Sequence, residues 1–389
     1  MTGLATDLRP KGRRKRQYEY LQKVMKEPMG CLALSLSAAS PALELVGAPT
    51  VALHLAGPSG IGKTCLCRLA IALYGNPNGA LLRVDVVKDT PNYIDNRLGL
   101  ARHFPVLIDE TTILKAKDIT RFAYNIAIGT EKGRLEGSET GYRPTTPNDY
   151  RLVAFLSGEH SIRNKIDHTG AAARLVEILL DKPILAPAEI PRWYRLADRH
   201  HGWFGLDLIK SLIKRYQGGQ DDAWARLRKL YNHIQRDTTA WCHEHGRVIA
   251  FLAVLQFGYI LMVRQLKMKF RALKKGELKQ LRKRARKFAI QMYDQLNLGV
   301  RVDRVLKATR RLPGIDRWVK KGYVPLKILA PVESCFDITK RGQLTGLLKT
   351  HGYISAVEPR KLRSKKSGTR KSVRCILLTQ KGVKHLSGG

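Results

Sequence analysis

Val51-Ala-Leu-His-Leu-Ala56 followed by Gly57-Pro-Ser-Gly-Ile-Gly-Lys63-Thr64 decides the fold: an apolar strand runs directly into a glycine-rich turn closed by Lys-Thr. The spacing of Gly57, Gly62, Lys63 and Thr64 fits G-x-x-x-x-G-K-[ST], in which glycines let successive backbone N–H groups face phosphate oxygens without an intervening Cβ. Gly57, Pro58, Ser59, Gly60, Ile61, Gly62, Lys63 and Thr64 are therefore candidate nucleotide-binding residues. In such a loop Lys63 reaches the β- and γ-phosphates and the Thr64 hydroxyl holds Mg²⁺. The stretch Cys65–Tyr74 predicts a helix whose N-terminal dipole faces the phosphates.

Working outward, Phe104-Pro-Val-Leu-Ile-Asp109-Glu110 is a short apolar run ending in two carboxylates. That is the pattern of a buried parallel strand presenting acids at its C-terminal end, a Walker B signature. Asp109 would hold Mg²⁺ and Glu110 would polarise the attacking water. Tyr150–Leu156 predicts another buried strand, with Ser157 or Glu159 at its end as a sensor of the γ-phosphate or the water. A plain Ser-Gly turn is the other reading of that end. Leu81–Val86 is a further strand candidate and Lys117–Ile128 has helical periodicity. Strands alternating with helices predict a P-loop NTPase of the α/β class, three layers (α/β/α) around a largely parallel sheet.

Several segments in order make the chain from about Met29 to Asn297 resemble a known family. They are Cys31–Ser40, Gly57–Thr64, Leu107–Glu110, Ala123-Tyr124 with Gly129 and Lys132-Gly-Arg134, Phe155–Glu159 and Gly170–Ile178. The family is that of the phage- and plasmid-associated helicase-like ATPases catalogued as domain of unknown function 927. The resemblance implies an AAA+-like, superfamily III-like motor that uses ATP and Mg²⁺, acts on DNA and assembles into a ring, expected as a hexamer. It also carries Arg174 over as the arginine that a neighbouring subunit supplies to the transition state. Lys132 and Arg134 correspond to a Gly-Lys-x-Arg element near the pore or nucleotide, although here Thr130 and Glu131 precede Lys132. Larger relatives carry an upstream primase-like or zinc-binding module. This loop begins some fifty residues in, so no primase chemistry is assigned and a separate primase or replication protein is an expected partner.

Charge points the same way. The 389 residues carry 70 Lys+Arg against 32 Asp+Glu, a formal net charge of +38. Such an excess strains a compact fold unless a polyanion relieves it, which makes nucleic acid the natural partner. An acidic membrane surface and generic basicity are the alternatives. Six cysteines with no C-x-x-C pair suggest neither a disulfide framework nor a zinc ribbon, and fit a reducing cytoplasm. Cys242, His243 and His245 are close in sequence but, on one helix, point in different directions, which argues against a metal site.

Arg13–Arg16 before the apolar stretch from Cys31 mimics a signal peptide, but charge and apolar run are separated and a nucleotide-binding loop follows. Val248–Val263 looks like a membrane span, yet it is shorter than the ~20 residues a bilayer needs and contains Gln256. It reads better as a buried helix of the ATPase lid, with no membrane partner. From Arg264 to Lys287 the chain becomes densely basic, opposed only by Glu277, which suggests a DNA-contacting strip or a strongly solvated helix.

The chain ends in a pattern similar to a winged helix. Phe336–Gly352 predicts a helix stopping at a glycine C-cap, followed by strands Tyr353–Val357 and Val373–Leu378 around a basic loop. Lys340, Arg341, Gln343 and Lys349 are the candidate groove residues, and Lys365, Lys366 and Arg370 the wing residues that straddle phosphates. The expected organisation is a basic extension (1–28), a P-loop ATPase core (29–190), a helical lid and basic region (191–317) and a winged-helix domain (318–389). The function expected is an ATP-dependent DNA helicase or replication-initiation motor of a mobile genetic element. An ATP-switched DNA-binding initiator or regulator that does not unwind is the alternative.

Overall fold

Strand β1, Val51–Ala56, is buried at all six positions, as a strand covered on both faces must be. It lies inside a five-stranded sheet with β2 (Arg83–Asp85), β3 (Val106–Asp109), β6 (Val153–Gly158) and β7 (Val176–Leu179), in the order β2-β3-β6-β1-β7. Every pairing is parallel. A separate antiparallel hairpin is formed by β4 (Leu135–Ser138) and β5 (Gly141–Pro144). The computed structural model describes residues 6–130, 135–138, 141–144, 148–163, 174–217, 221–242, 244, 246–266, 275–296, 309–310, 312–329, 354–363, 370–380, 383 and 386.

Register turns this order into a site. Ala56 pairs with Gly158 across β1 and β6, and Ile108 pairs with Leu156 across β3 and β6. The residues that leave the sheet after β1, β3 and β6 therefore emerge side by side at one edge. In parallel sheets ligands bind at that carboxyl edge, where the chain reverses direction around it.

The longer helices among the described residues are α1 (Arg14–Val24), α2 (Pro28–Ala39), α3 (Lys63–Ile71), α4 (Pro91–Ala101), α5 (Ala116–Ile128), α6 (Ile190–Arg199), α7 (Trp203–Gln217), α8 (Asp221–Trp241), α9 (Gly246–Leu266) and α10 (Lys275–Tyr293). Helix α3 packs on β3 and β6, α2 packs on α3, and α9 lies against α2. The α2–α9 contact is backbone-close: a Cβ on Gly258 would stand 1.9 Å from the Ser35 carbonyl oxygen. Only glycine allows this approach. The polar Gln256 in α9 is satisfied inside the bundle, donating to Thr238 Oγ1 at 2.7 Å.

By length and composition α9 (21 residues) and the segment Pro28–Val46 (19 residues) could each cross a membrane, but 78% of each apolar stretch is buried inside the protein. The expectation that the apolar run is too short to span is thus corrected, since the helix extends at both ends of it. Burial against α2, α8 and α10 accounts for its hydrophobicity.

The chain divides into two compact units, Met1–Asn297 and Leu298–Gly389. Residues 1–28, 29–190 and most of 191–317, separated in the sequence reading, fall within the first unit, and the division lies at 297/298 instead of 317/318. The basic N-terminal stretch is built in: Gln17 donates to the Ala72 carbonyl at 2.8 Å and accepts from the Phe204 N–H at 3.0 Å, while Tyr18 donates to Asp207 at 2.7 Å.

In the second unit a short helix, α11 (Ile315–Val319), precedes a three-stranded antiparallel sheet. It consists of β8 (Tyr323–Pro325), β9 (Ile354–Arg363) and β10 (Arg370–Leu378) in the order β8-β10-β9. Strand β9 runs six residues beyond the expected end at Val357, so Lys361 and Arg363 lie on a ladder and not in the loop. The helix expected over 336–352 lies outside the described residues.

Candidate functional site

The turn after β1 begins helix α3 at Lys63, with Gly62 as its N-cap at φ 97°, a left-handed conformation that favours glycine. Lys63 is 7% exposed, and its Nζ donates to the Gly57 carbonyl at 2.7 Å and the Pro58 carbonyl at 2.6 Å. Burial lowers the Lys63 pKa, and Glu159, Glu110 and Asp109 oppose that shift by their charge. A cation sits on a glycine-rich loop with three carboxylates around it.

Thr64, the next residue, donates to Asp109 Oδ1 at 3.0 Å and lies 3.3 Å from the Ser157 hydroxyl. Ser157 itself hydrogen-bonds the same Asp109 oxygen. Arg83 holds the other carboxylate oxygen at 2.9 Å. Three hard oxygens from β3, β6 and the start of α3 thus meet at one point, the donor chemistry that suits Mg²⁺. Glu110 follows in a left-handed conformation at φ 60° and is exposed to the same cleft. The cleft is lined by Ser59, Gly60, Gly62, Lys63, Thr64, Cys65, Glu110, Ser157, Gly158, Glu159, Ile190 and Tyr194.

Ser157 and Glu159, between which the sequence could not choose, occupy different places. Ser157 is 2% exposed and on Asp109, whereas Glu159 is exposed and anchored through its N–H to Thr112 Oγ1 at 2.7 Å. Arg174 is not brought to this cleft. It stands two residues before β7, at the opposite edge of the sheet, with its guanidinium over the Tyr124 ring of α5 at 4.6 Å. At ~3.3 Å per strand residue the two edges are roughly 13–20 Å apart. Arg247 is a neighbour of Arg174 there: burial, then repulsion from Arg174, lowers its pKa.

Four residues at or beneath the site carry no signal in the loop motifs. Arg83 reaches Asp109 because β2 pairs with β3, Asp85 opposite Asp109. Ile190 and Tyr194, on α6, close one side of the cleft, and Arg68 of α3 stacks on the Tyr194 ring at 4.4 Å. His54, in the middle of β1, is fully buried. A lone ionisable residue inside the otherwise apolar run Val51–Ala56 was the available clue.

Lys132, Arg134, Lys340, Arg341, Gln343, Lys349, Lys365 and Lys366 lie outside the described residues. Arg370 begins β10, opposite Arg363. His243 and His245 also lie outside them, and among the described residues no group of three or more His, Cys, Asp or Glu could hold a metal ion. Cys31, Cys65, Cys67, Cys242 and Cys375 are buried.

A solved structure described as "SCCmec type IV Cch - active helicase" matches 98% of this chain and 73% of its own at 16% identity, with a TM-score of 0.60. At that identity the likeness is one of fold. A second structure, NtrX from Brucella abortus in complex with ADP, matches 90% of this chain and 71% of its own at 14% identity, but its TM-score of 0.26 is below that of a shared fold. No curated protein matches the sequence. A family model, described as a domain of unknown function (DUF927), matches residues 3–145, which hold the glycine loop, the Asp109-Glu110 pair and the strands that carry them. Over that stretch the chain is similar to the DUF927 family.

Proposed function

We propose that the chain is an ATP-driven DNA motor, a helicase or replication-initiation ATPase of a mobile genetic element. The observation that carries this reading is the meeting of Thr64, Asp109 and Ser157 beside a glycine loop whose lysine is buried among carboxylates. The backbone of Gly57–Gly62 and the Lys63 ammonium take the triphosphate, as in P-loop enzymes of the AAA+ and superfamily III type. Thr64 and Asp109 would hold Mg²⁺, which would neutralise charge on the phosphates. Arg83 fixes the far oxygen of Asp109, Ser157 senses the reacting end, and Glu110 takes the proton of the attacking water. The likeness in fold to a protein described as an active helicase adds weight.

Arg174, facing away from its own cleft, serves a neighbouring subunit, which makes a ring the working form, a hexamer by family resemblance. Lys132 and Arg134 contact DNA in the pore. The C-terminal unit acts as a winged helix, with Lys340, Arg341, Gln343 and Lys349 in the groove and Lys365, Lys366 and Arg370 on phosphates. Work at an origin in the cytoplasm beside a separate primase completes the picture. The test is purified protein on a forked duplex with Mg-ATP. DNA-stimulated turnover with strand separation is expected; assembly and turnover without separation would favour an ATP-switched initiator or regulator instead.

A further inference from the structure

Beneath the cleft lies a polar chain that the reading above does not use. His54 of β1 and Glu177 of β7 are both 0% exposed. The ring nitrogen Nδ1 of His54 is 2.8 Å from Glu177 Oε2, and its Nε2 is 3.0 Å from Thr111 Oγ1. Thr111 in turn donates its hydroxyl to the Ser157 carbonyl at 3.0 Å. At the other end Glu177 accepts from Ser161 Oγ at 2.6 Å and from the Ile162 N–H at 3.0 Å.

Counting protons along this chain assigns the donors. A hydroxyl has one hydrogen, and that of Thr111 goes to the Ser157 carbonyl, so Thr111 can only accept from His54 Nε2–H. With both oxygens already accepting, from Ser161 and from Ile162, and with the Arg163 guanidinium as a neighbouring charge, Glu177 is held as the ionised acceptor that Nδ1–H meets. Both ring nitrogens therefore donate. A buried cation paired with a buried carboxylate is retained only when each is also hydrogen-bonded, as both are here.

The chain ends on the two groups that matter in the cleft. Thr111 is 0% exposed and directly follows Glu110, whose left-handed backbone persists only if its surroundings hold it. Gly158, next to Ser157, leaves the room: a Cβ there would stand 2.5 Å from Thr111 Oγ1 and 3.1 Å from His54 Nε2. Shifting Glu177 or the 161–162 segment would move Thr111 and, with it, both Glu110 and Ser157.

We propose that His54, doubly protonated and paired with Glu177, is a positioning residue that sets Glu110 and Ser157 through Thr111 and ties them to β7 and the Ser161–Ile162 segment. The role in turnover rests on the nucleotide reading above; the protonation assignment does not. The assignment is tested by ¹⁵N-histidine NMR of the full chain, the His54 signals being identified by their loss in His54→Gln. Two ring N–H groups are expected, and a single one overturns the proposal. For the role, Thr111→Val should lower ATP turnover about tenfold or more while nucleotide affinity changes less than about threefold, and Thr111→Ser should restore turnover to within about threefold. Equal loss of affinity and turnover, or unchanged turnover, would overturn positioning. If Thr111→Val does not fold, Thr111→Ser and the NMR of the unaltered protein still decide. Unaltered protein that binds no NTP would remove the nucleotide reading and the positioning role together, whereas normal binding with a singly protonated His54 would remove this inference alone.

Discussion

The two edges of the central sheet differ in what they can do unaided. At the carboxyl edge Lys63, Thr64, Asp109, Ser157 and Glu110 come from three separate parts of the chain and face one cleft. At the amino edge Arg174 lies on Tyr124 beside Arg247, with the full length of the strands between it and that cleft. Parallel strands force this separation, because everything leaving a strand end is on one side and everything entering is on the other. In the proposed function the first edge takes the triphosphate, and the second contributes to that chemistry only in another copy.

The sharpest way to break this contrast is Arg174→Ala. Turnover should fall on the order of a thousandfold, the scale on which arginine fingers act, and mixing with Lys63→Ala subunits should restore part of it in an ATPase assay. No recovery in mixed assemblies would make Arg174 a structural residue of its own edge. On the cleft side, Glu110→Gln should lower turnover about a hundredfold or more while binding of a fluorescent nucleotide stays intact, as loss of a general base predicts. Arg83→Ala, which frees one oxygen of Asp109, should weaken Mg²⁺ dependence by roughly tenfold in a metal titration of turnover, since outer partners of a ligand act at that level. The smallest effect on turnover should come from Gly258→Ala, remote from both edges. There the α2–α9 approach must open, costing about 1–3 kcal/mol in a denaturant titration with catalysis per folded molecule unchanged.

The legible part of the site was its sequence-local part. Gly57–Thr64 and Asp109-Glu110 each carry their meaning within a few residues, because a phosphate cradle and a strand-end acid are local devices. Arg83 was invisible: it reaches Asp109 only through the pairing of β2 with β3, and nothing in Leu-Leu-Arg-Val-Asp-Val distinguishes that arginine from a solvated one. His54 stands out as an ionisable residue in an apolar strand, but nothing in Val51–Ala56 names Glu177 as its partner. Boundaries shifted for a similar reason. Ser157 and Gly158, expected just beyond a strand ending at Leu156, are the last residues of β6, held there by pairing with β1. The apolar run of α9 suggested a span too short for a membrane, whereas packing extends the helix to 21 residues.

From the order of residues alone came the alternation of strands and helices, the glycine cradle, the paired acids and the excess of positive charge, since each depends on chain neighbours or on composition. Strand order was left to the tertiary structure. It inserts β6 between β1 and β3, so that Ser157 meets Asp109 and Thr64, sets Arg174 on the far edge, and buries His54 against Glu177. The physical reason is that pairing and register are long-range choices, made by which surfaces can be buried together and not by the residues next in line.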